Sequence, residues 1–183
     1  MNDPLVRYIH EIENLKSSGA YPEAKKLVDT LLVQYTDDYR LYEELADIYL
    51  YQGDLVSAES SMKIAQDLNT NSATGMYLMG YIAVSRGEFK KGIDLLSQAN
   101  ENFPNNPEIL RNLGWAFTVT GKGDKGIFLL KRALNLAPDD VLIMEDLGVA
   151  LLSDGTELSE AEDLLRRAGK EHRIPEIRAL MRI

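Results

Sequence analysis

A glycine recurs every 34 residues, five times along the chain. These glycines are Gly19, Gly53, Gly87, Gly121 and Gly155. Four of the five also have a small residue seven positions earlier, namely Ala46, Gly80, Gly114 and Gly148. Agreement at several positions over five repeats indicates an array of stacked supersecondary units, none of which can bury its apolar face alone.

Each repeat is expected to consist of two helices. In the stretch before Gly121, the apolar residues Leu110, Leu113 and Phe117 recur at roughly helical spacing. Gly121 then stands where a helix ends, because glycine accepts the left-handed C-cap conformation without a Cβ clash. Pro138 follows the second helix of the same repeat, where a helix cannot continue without losing a hydrogen bond.

Small residues are predicted to lie where the two helices of a repeat cross. Gly114 and Gly126 carry no side chain, so the two backbones can approach closely at these positions. A larger residue at Gly114 is expected to push the helices apart, because overpacking of a crossing is destabilising.

This pattern resembles the tetratricopeptide repeat family. The residues that carry the resemblance are Ala24, Leu45, Ala46, Tyr49, Ala58, Met79, Gly80, Pro104, Leu113, Gly114, Phe117, Pro138, Leu147, Gly148 and Ala161. The resemblance implies an all-α fold, a right-handed superhelical solenoid of five helix-turn-helix repeats with a short C-terminal capping helix. We expect a single repeat domain over residues 1–183, with repeats at 5–38, 39–72, 73–106, 107–140 and 141–175 and the cap at 175–183.

Composition excludes several classes of function. Lys and Arg number 20 against 29 Asp and Glu, which gives a net charge of −9 and argues against a general nucleic-acid binder. The absence of Cys excludes a disulfide framework and a thiolate zinc site, and two His leave little for a His-rich metal site. No apolar stretch has the length of a membrane span, and no signal-peptide core is visible, so we expect a cytoplasmic protein.

The segment Gly121–Gly126 matches the dinucleotide-binding pattern G-x-G-x-x-G letter for letter. That function requires a preceding strand, whereas a helix is predicted here, so we interpret its glycines as repeat positions. His10 and His172 have no predicted nucleophile beside them, and Asp139 and Asp140 are expected to cap the next helix. Neither a catalytic constellation nor a cofactor is predicted, and we expect a protein that is not an enzyme.

In the resembling family the first helices of the repeats line a concave groove, and ligands usually lie there. The second, fifth, ninth and twelfth residues of each repeat are expected to face it. The candidate partner-binding residues among them are Glu13, Arg40, Glu43, Asp47, Leu50, Tyr77, Tyr81, Arg111, Trp115 and Glu145. The N-terminal half of this groove is predicted to be acidic and its centre aromatic, although the aromatic side chains could equally fill the seam between neighbouring first helices.

We therefore expect a non-catalytic protein–protein interaction module, an adaptor or assembly scaffold that holds a peptide or helix. The predicted partner carries basic and apolar or aromatic residues. One alternative is a small acidic secretion or assembly chaperone. Another is self-assembly through the C-terminal end, where residues 164–183 carry six basic against two acidic residues. The basic residues are Arg166, Arg167, Lys170, Arg173, Arg178 and Arg182.

Overall fold

The computed structural model describes residues 3–181, with Met181 described by its backbone alone. Within these residues the chain forms eleven α-helices and no strand. The helices are α1 Pro4–Ser17, α2 Tyr21–Leu32, α3 Tyr39–Tyr51, α4 Leu55–Leu68, α5 Ala73–Ser85, α6 Phe89–Asn102, α7 Pro107–Val119, α8 Gly123–Leu136, α9 Val141–Asp154, α10 Leu158–Arg167 and α11 Arg173–Met181. The predicted all-α fold class is confirmed.

The chain divides into two compact units, Met1–Ile82 and Ala83–Ile183, called here the N-terminal unit and the C-terminal unit. The N-terminal unit holds α1–α4 and most of α5. Its α1 packs against α2 and α3, and α3 packs against α4. The apolar side chains buried around α1–α3 are Leu5, Ile12, Ala24, Val28, Leu31, Leu41 and Ile48. A second cluster joins α3, α4 and α5 through Ala46, Ala58, Met62, Ala65, Leu78 and Ile82.

The C-terminal unit holds the end of α5 and α6–α11. Helix α7 packs against α6, α8 and α9, and α9 in turn packs against α8, α10 and α11. Its core cluster is formed mainly by α9 and α10, and includes Leu147, Leu151, Ala161, Leu165 and, from α11, Ile177. The segment predicted to cap the chain from Pro175 thus forms a helix that begins two residues earlier, at Arg173.

The glycine that recurs every 34 residues occupies the same backbone conformation in each repeat. All five have a φ between 74° and 78°, in the left-handed region that follows the end of a first helix. The predicted helix stop at Gly121 is confirmed. A residue with a Cβ would be strained at these turns, which explains why glycine stands at all five.

Acidic and amide side chains begin the first helices. Asp38 Oδ1 accepts a hydrogen bond from the Arg40 amide at 3.1 Å, and Asn106 Oδ1 accepts from the Glu108 amide at 3.0 Å. Asp140 Oδ1 accepts from the amides of Leu142 at 2.8 Å and Ile143 at 3.1 Å. The predicted capping role of Asp140 is confirmed, and these caps fix where each first helix begins.

Candidate binding surfaces

A largely enclosed cation joins α1 to α3 in the N-terminal unit. Lys16 Nζ lies 2.6 Å from Glu44 Oε2 and 2.6 Å from Asp47 Oδ2. Only 13% of the Lys16 and Glu44 side chains and 26% of the Asp47 side chain are exposed. We call these three residues the Lys16 cluster.

The Lys16 cluster perturbs its own protonation equilibria. Burial lowers the pKa of Lys16, but the charges of Asp47 and Glu44 outweigh burial and raise that pKa above its ordinary value. Burial raises the pKa of Glu44, and the charge of Lys16 opposes that shift. Asp47, a predicted groove residue, therefore has an ion-pair partner inside its own unit.

A cavity of about 330 Å³ opens beside the Lys16 cluster. It is lined by Glu13, Lys16, Ser17, Asp47 and Tyr51, and we call it the Glu13 cavity. The Tyr51 ring stacks on Tyr21 with 5.0 Å between centroids, which holds one wall in place. Glu13 is exposed, and its carboxylate lies 3.6 Å from His10 Nδ1. The cavity lining therefore holds two carboxylates, those of Glu13 and Asp47, and one ammonium group, that of Lys16.

A larger cavity of about 800 Å³ lies along the start of α1, lined by Asp3, Pro4, Val6, Arg7, Tyr8 and His10. Val6 is 57% exposed although it is apolar. Val6 and Glu13 are seven residues apart on α1, which corresponds to two helical turns and about 10 Å along one face. One face of α1 therefore carries an apolar residue, Val6, and an acidic residue, Glu13, two turns apart.

The other predicted groove residues of α3 are more enclosed. Glu43 is only 6% exposed, and its Oε1 faces the start of α5 near Gly75 without a hydrogen-bond partner. Burial raises the pKa of Glu43, while the Ser72 hydroxyl and the Gly75 amide oppose the shift. Arg40 pairs with Asp3 and Asp38, and Leu50 packs half-buried on the second core cluster.

The aromatic residues predicted for the centre of the groove fall in different units. Tyr77 and Tyr81 of α5 belong to the N-terminal unit, where both are half-buried and Tyr77 packs against the second core cluster. Trp115 of α7 belongs to the C-terminal unit, where it is half-buried against the cluster formed by α9 and α10. Each aromatic side chain thus keeps an exposed part in its own unit.

A second partly buried charge pair joins α7 to α9. Arg111 Nη1 lies 3.4 Å from Asp146 Oδ2, and their side chains are 15% and 22% exposed. Burial raises the pKa of Asp146 to about 6, an effect that the charge of Arg111 reduces. Asp146 and Glu44 hold the same position, the sixth, in the fifth and second repeats.

The last predicted groove residue, Glu145, forms ion pairs with basic residues of its own chain. Its carboxylate pairs with Lys170 at 3.4 Å and with Arg173. Glu162 likewise pairs with Arg166 and Arg178, and Arg167 lies 3.8 Å from Asp163. Five of the six basic residues near the C-terminus therefore have acidic partners within the chain, and the sixth, Arg182, lies outside the described residues.

The glycines of Gly121–Gly126 serve the repeat, as predicted. Gly121 is the left-handed turn, and Gly126 lies against Gly114 at the helix crossing. At the start of α8, a Cβ on Gly123 would stand 2.9 Å from the carboxylate oxygen Asp154 Oδ1. An acidic group already lies at this helix N-terminus, which disfavours a phosphate there.

Two properties of the described chain bear on its chemistry. Residues 3–181 contain no group of three or more His, Asp or Glu side chains placed to hold a metal ion. They also contain no helix with the length and apolar character needed to cross a membrane.

Comparison with known proteins identifies the repeats. Residues 77–140 match the family model described as tetratricopeptide repeat. These residues therefore carry tetratricopeptide repeat sequence. No curated protein sequence matches the chain. Members of this family are typically non-enzymatic modules that bind protein partners.

Several solved structures share the fold of this chain over most of its length, and not only over the residues that match the family model. TTC0263, a thermophilic tetratricopeptide repeat protein of Thermus thermophilus, is 22% identical with a TM-score of 0.69, and 96% of each chain is covered. PilF of Pseudomonas aeruginosa is 14% identical with a TM-score of 0.67, over 90% of this chain and 75% of that one. MamA 41-end from Desulfovibrio magneticus RS-1 is 17% identical with a TM-score of 0.65, over 94% and 97%. At these identities the likeness establishes the fold.

The Lys16 cluster and the Arg111–Asp146 pair were both missed by sequence reasoning. Glu44 and Asp146 were not among the predicted site residues, because the sixth position of a repeat was not expected to line a groove. The sequence shows only that the two carboxylates share one repeat position, 102 residues apart. That each faces a cation of a preceding first helix is visible only in the structure.

Proposed function

We propose that this protein is a non-catalytic interaction module, an adaptor or assembly scaffold that holds a peptide or helix bearing basic and apolar or aromatic residues. The observation that carries this proposal is the Glu13 cavity, whose lining holds the carboxylates of Glu13 and Asp47 with a single ammonium group, that of Lys16, on an exposed first-helix face. The match of residues 77–140 to the tetratricopeptide repeat family supports a protein partner.

The charge arrangement favours a cationic side chain as the ligand of the Glu13 cavity. Both Glu44 and Asp47 pair with Lys16, so Lys16 is neutralised within its cluster. Glu13 is left to pair with an incoming Lys or Arg. The Tyr51 ring, fixed on Tyr21, offers an aromatic wall against which a guanidinium can stack.

The apolar position on α1 sets a spacing for the partner. Val6 and Glu13 lie about 10 Å apart along the helix. An extended partner spans that distance with about three residues, and a helical partner with about seven. We therefore expect partner segments with an apolar or aromatic residue and a basic residue at one of these two separations.

The aromatic residues provide further anchors in the proposed function. Tyr81 in the N-terminal unit and Trp115 in the C-terminal unit are half-buried on first helices. Trp115 packs on one side against its own unit, and both side chains keep an exposed part for a partner. Large, rigid aromatic side chains of this kind dominate the energy of many protein interfaces.

Selection from a random peptide library displayed on phage, followed by kinetic measurement on the selected peptides, tests the proposal. We expect enrichment of segments that carry Lys or Arg and an apolar or aromatic residue at the predicted separation. The Glu13→Lys variant should slow their association, because complementary charge acts mainly on the rate of encounter.

The matched control is Glu23→Lys, which makes the same change of charge at an exposed position of α2. It should leave association close to wild type. Selection of no peptide above background, or equal association for the two variants, would contradict the proposed function at this surface.

A further inference from the structure

Helix α11 is attached to the rest of the C-terminal unit mainly through ion pairs. Arg173 at its start pairs with Glu145 of α9, and Lys170 just before it lies 3.4 Å from the same carboxylate. Arg178 in its last turn pairs with Glu162 of α10. The two carboxylates are enclosed, with 16% and 20% of their side chains exposed.

The apolar attachment of α11 is small. Among its described side chains Ile177 is buried, at 8% exposure, and Ile174 packs half-buried on the same cluster. Leu180, although apolar, is 82% exposed. With nine residues, α11 is also too short to be a stable helix in isolation, so its order depends on these few contacts.

A short connection, residues 168–172, joins α10 to α11. Gly169 ends α10 with a φ of 70°, and a Cβ built there would meet no atom within 4 Å. Its amide donates to the Arg166 carbonyl oxygen at 2.9 Å, a bond that belongs to the end of α10 and does not involve α11. The next amide, that of Lys170, donates to the Leu165 carbonyl oxygen at 2.7 Å, so the end of α10 is fixed up to Lys170. Any movement of α11 relative to α10 therefore starts after Lys170.

We propose that α11 is an electrostatic latch, which opens as a unit at raised ionic strength or when a competing cation reaches Glu145 and Glu162, while α9 and α10 stay folded. In the closed state Lys170 and Arg173 occupy Glu145, a predicted partner-binding position on a first helix. A basic segment of a partner has to displace them, so the latch withholds this part of α9 from weakly charged ligands. The latch is a property of the isolated chain and does not depend on the proposed function.

Hydrogen exchange of the full chain tests the latch without any partner. We expect amide protection in α11 to fall at least about fivefold between about 20 mM and about 500 mM sodium chloride, because the cations of these pairs are 34–44% exposed and salt screens them. Protection of the α9 amides from Leu147 to Leu152 should stay constant over the same range.

Substitutions at both sides of the contact should reproduce the effect of salt under the low-salt condition. Glu145→Gln with Glu162→Gln removes the acceptors, and Arg173→Gln with Arg178→Gln removes the donors. For the acidic pair the matched control is Asp139→Asn with Glu171→Gln, which also removes two negative charges, but at exposed residues. This control should keep α11 protected.

Two results would overturn the latch. Protection of α11 that is independent of salt and of all four latch substitutions would show that Ile177 and Ile174 hold the helix by themselves. Loss of protection in α9 and α10 together with α11 would show that α11 is an inseparable part of the core.

Discussion

Gly114 of α7 and Gly126 of α8 face each other with no room for a side chain on either. A Cβ on Gly114 would stand 3.0 Å from the Gly126 carbonyl oxygen, and a Cβ on Gly126 would stand 2.7 Å from the Gly114 carbonyl oxygen. The Leu130 side chain, 2.9 Å from a Cβ on Gly114, and the Thr118 hydroxyl also crowd these positions, but the two carbonyl oxygens are backbone atoms and cannot rotate out of the way. The crossing of the two helices is therefore set by the absence of two side chains, as the sequence pattern predicts.

Adding one methyl group at this crossing should destabilise the protein. We expect Gly114→Ala and Gly126→Ala each to lower the free energy of unfolding by about 1–3 kcal/mol, the usual cost of overpacking. Gly123→Ala is the matched control, because its new Cβ meets only the end of the flexible Asp154 side chain. Urea unfolding should show Gly123→Ala close to wild type, and an equal loss for all three would contradict the explanation.

The Lys16 cluster predicts a pH-dependent loss of stability. Lys16→Met leaves Glu44 largely buried without its cation, which should cost about 3 kcal/mol at neutral pH. Burial already raises the pKa of Glu44, and loss of the ammonium should raise that pKa further. Glu44 in the variant can then protonate on acidification, so the deficit relative to wild type should shrink from about pH 7 to about pH 5. Urea unfolding at the two pH values measures this.

Lys25→Met is the control for the loss of a lysine charge. Lys25 pairs with Asp29 on the surface of α2, where 51% of the Asp29 side chain is exposed. Exposed pairs of this kind contribute well under about 1 kcal/mol, so little change is expected at either pH. A deficit of Lys16→Met that does not vary with pH would indicate lost packing of the lysine stem instead of an unpaired carboxylate.

Asp146 predicts a pH dependence with a definite sign. Its pKa is raised from 3.8 to about 6, so the folded protein binds the proton more tightly than the unfolded chain. The corresponding stability is complete below the unfolded pKa of 3.8 and is lost as the pH rises through about 6. Asp146→Asn keeps an uncharged side chain throughout, so its stability relative to wild type should improve by on the order of 2 kcal/mol between about pH 4 and about pH 7.

Chemical unfolding of the Asp146→Asn variant and wild type across this range checks the sign. Asp163→Asn serves as the control, because Asp163 is exposed and pairs only loosely with Arg167 at 3.8 Å. Its relative stability should not change with pH. A relative stability of Asp146→Asn that falls as the pH rises would mean that Arg111 stabilises the ionised carboxylate more than burial disfavours it.

The glycine turns and the close helix crossing could be predicted from the sequence, because they meet requirements of the backbone. The ion pairs between helices could not be predicted in the same way. Gly121, Gly114 and Gly126 each meet a local need, a left-handed turn or a close approach, and the turn recurs every 34 residues. Because the same backbone requirement recurs in each repeat, it leaves a periodic pattern of residue types in the sequence.

Charge pairing leaves a weaker signal, because long side chains reach several neighbours. Lys16 could have pointed to solvent, but the register between α1 and α3 brings it between Glu44 and Asp47. Glu145 was predicted as a partner-binding residue, and only the path of α11 explains why it meets Lys170 and Arg173. Pairing between helices therefore required the structure.

Trp115 provides a test of whether a groove residue also serves the core. It is the only Trp of the chain, and it packs half-buried against the cluster of α9 and α10. We expect its fluorescence to be partly accessible to acrylamide, and Trp115→Ala to lower the free energy of unfolding by on the order of 2 kcal/mol, less than for a fully buried Trp.

If Trp115 also anchors a partner, as proposed, Trp115→Ala should weaken binding of a selected peptide by at least about 2 kcal/mol. Trp115→Phe keeps an aromatic ring against α9 and should restore most of the stability while restoring binding only in part. Phe128→Ala is the control, because Phe128 is 65% exposed on α8, a second helix, and should affect neither quantity. Unchanged peptide affinity in Trp115→Ala, together with the loss of stability, would assign Trp115 to the seam between α7 and α9 alone.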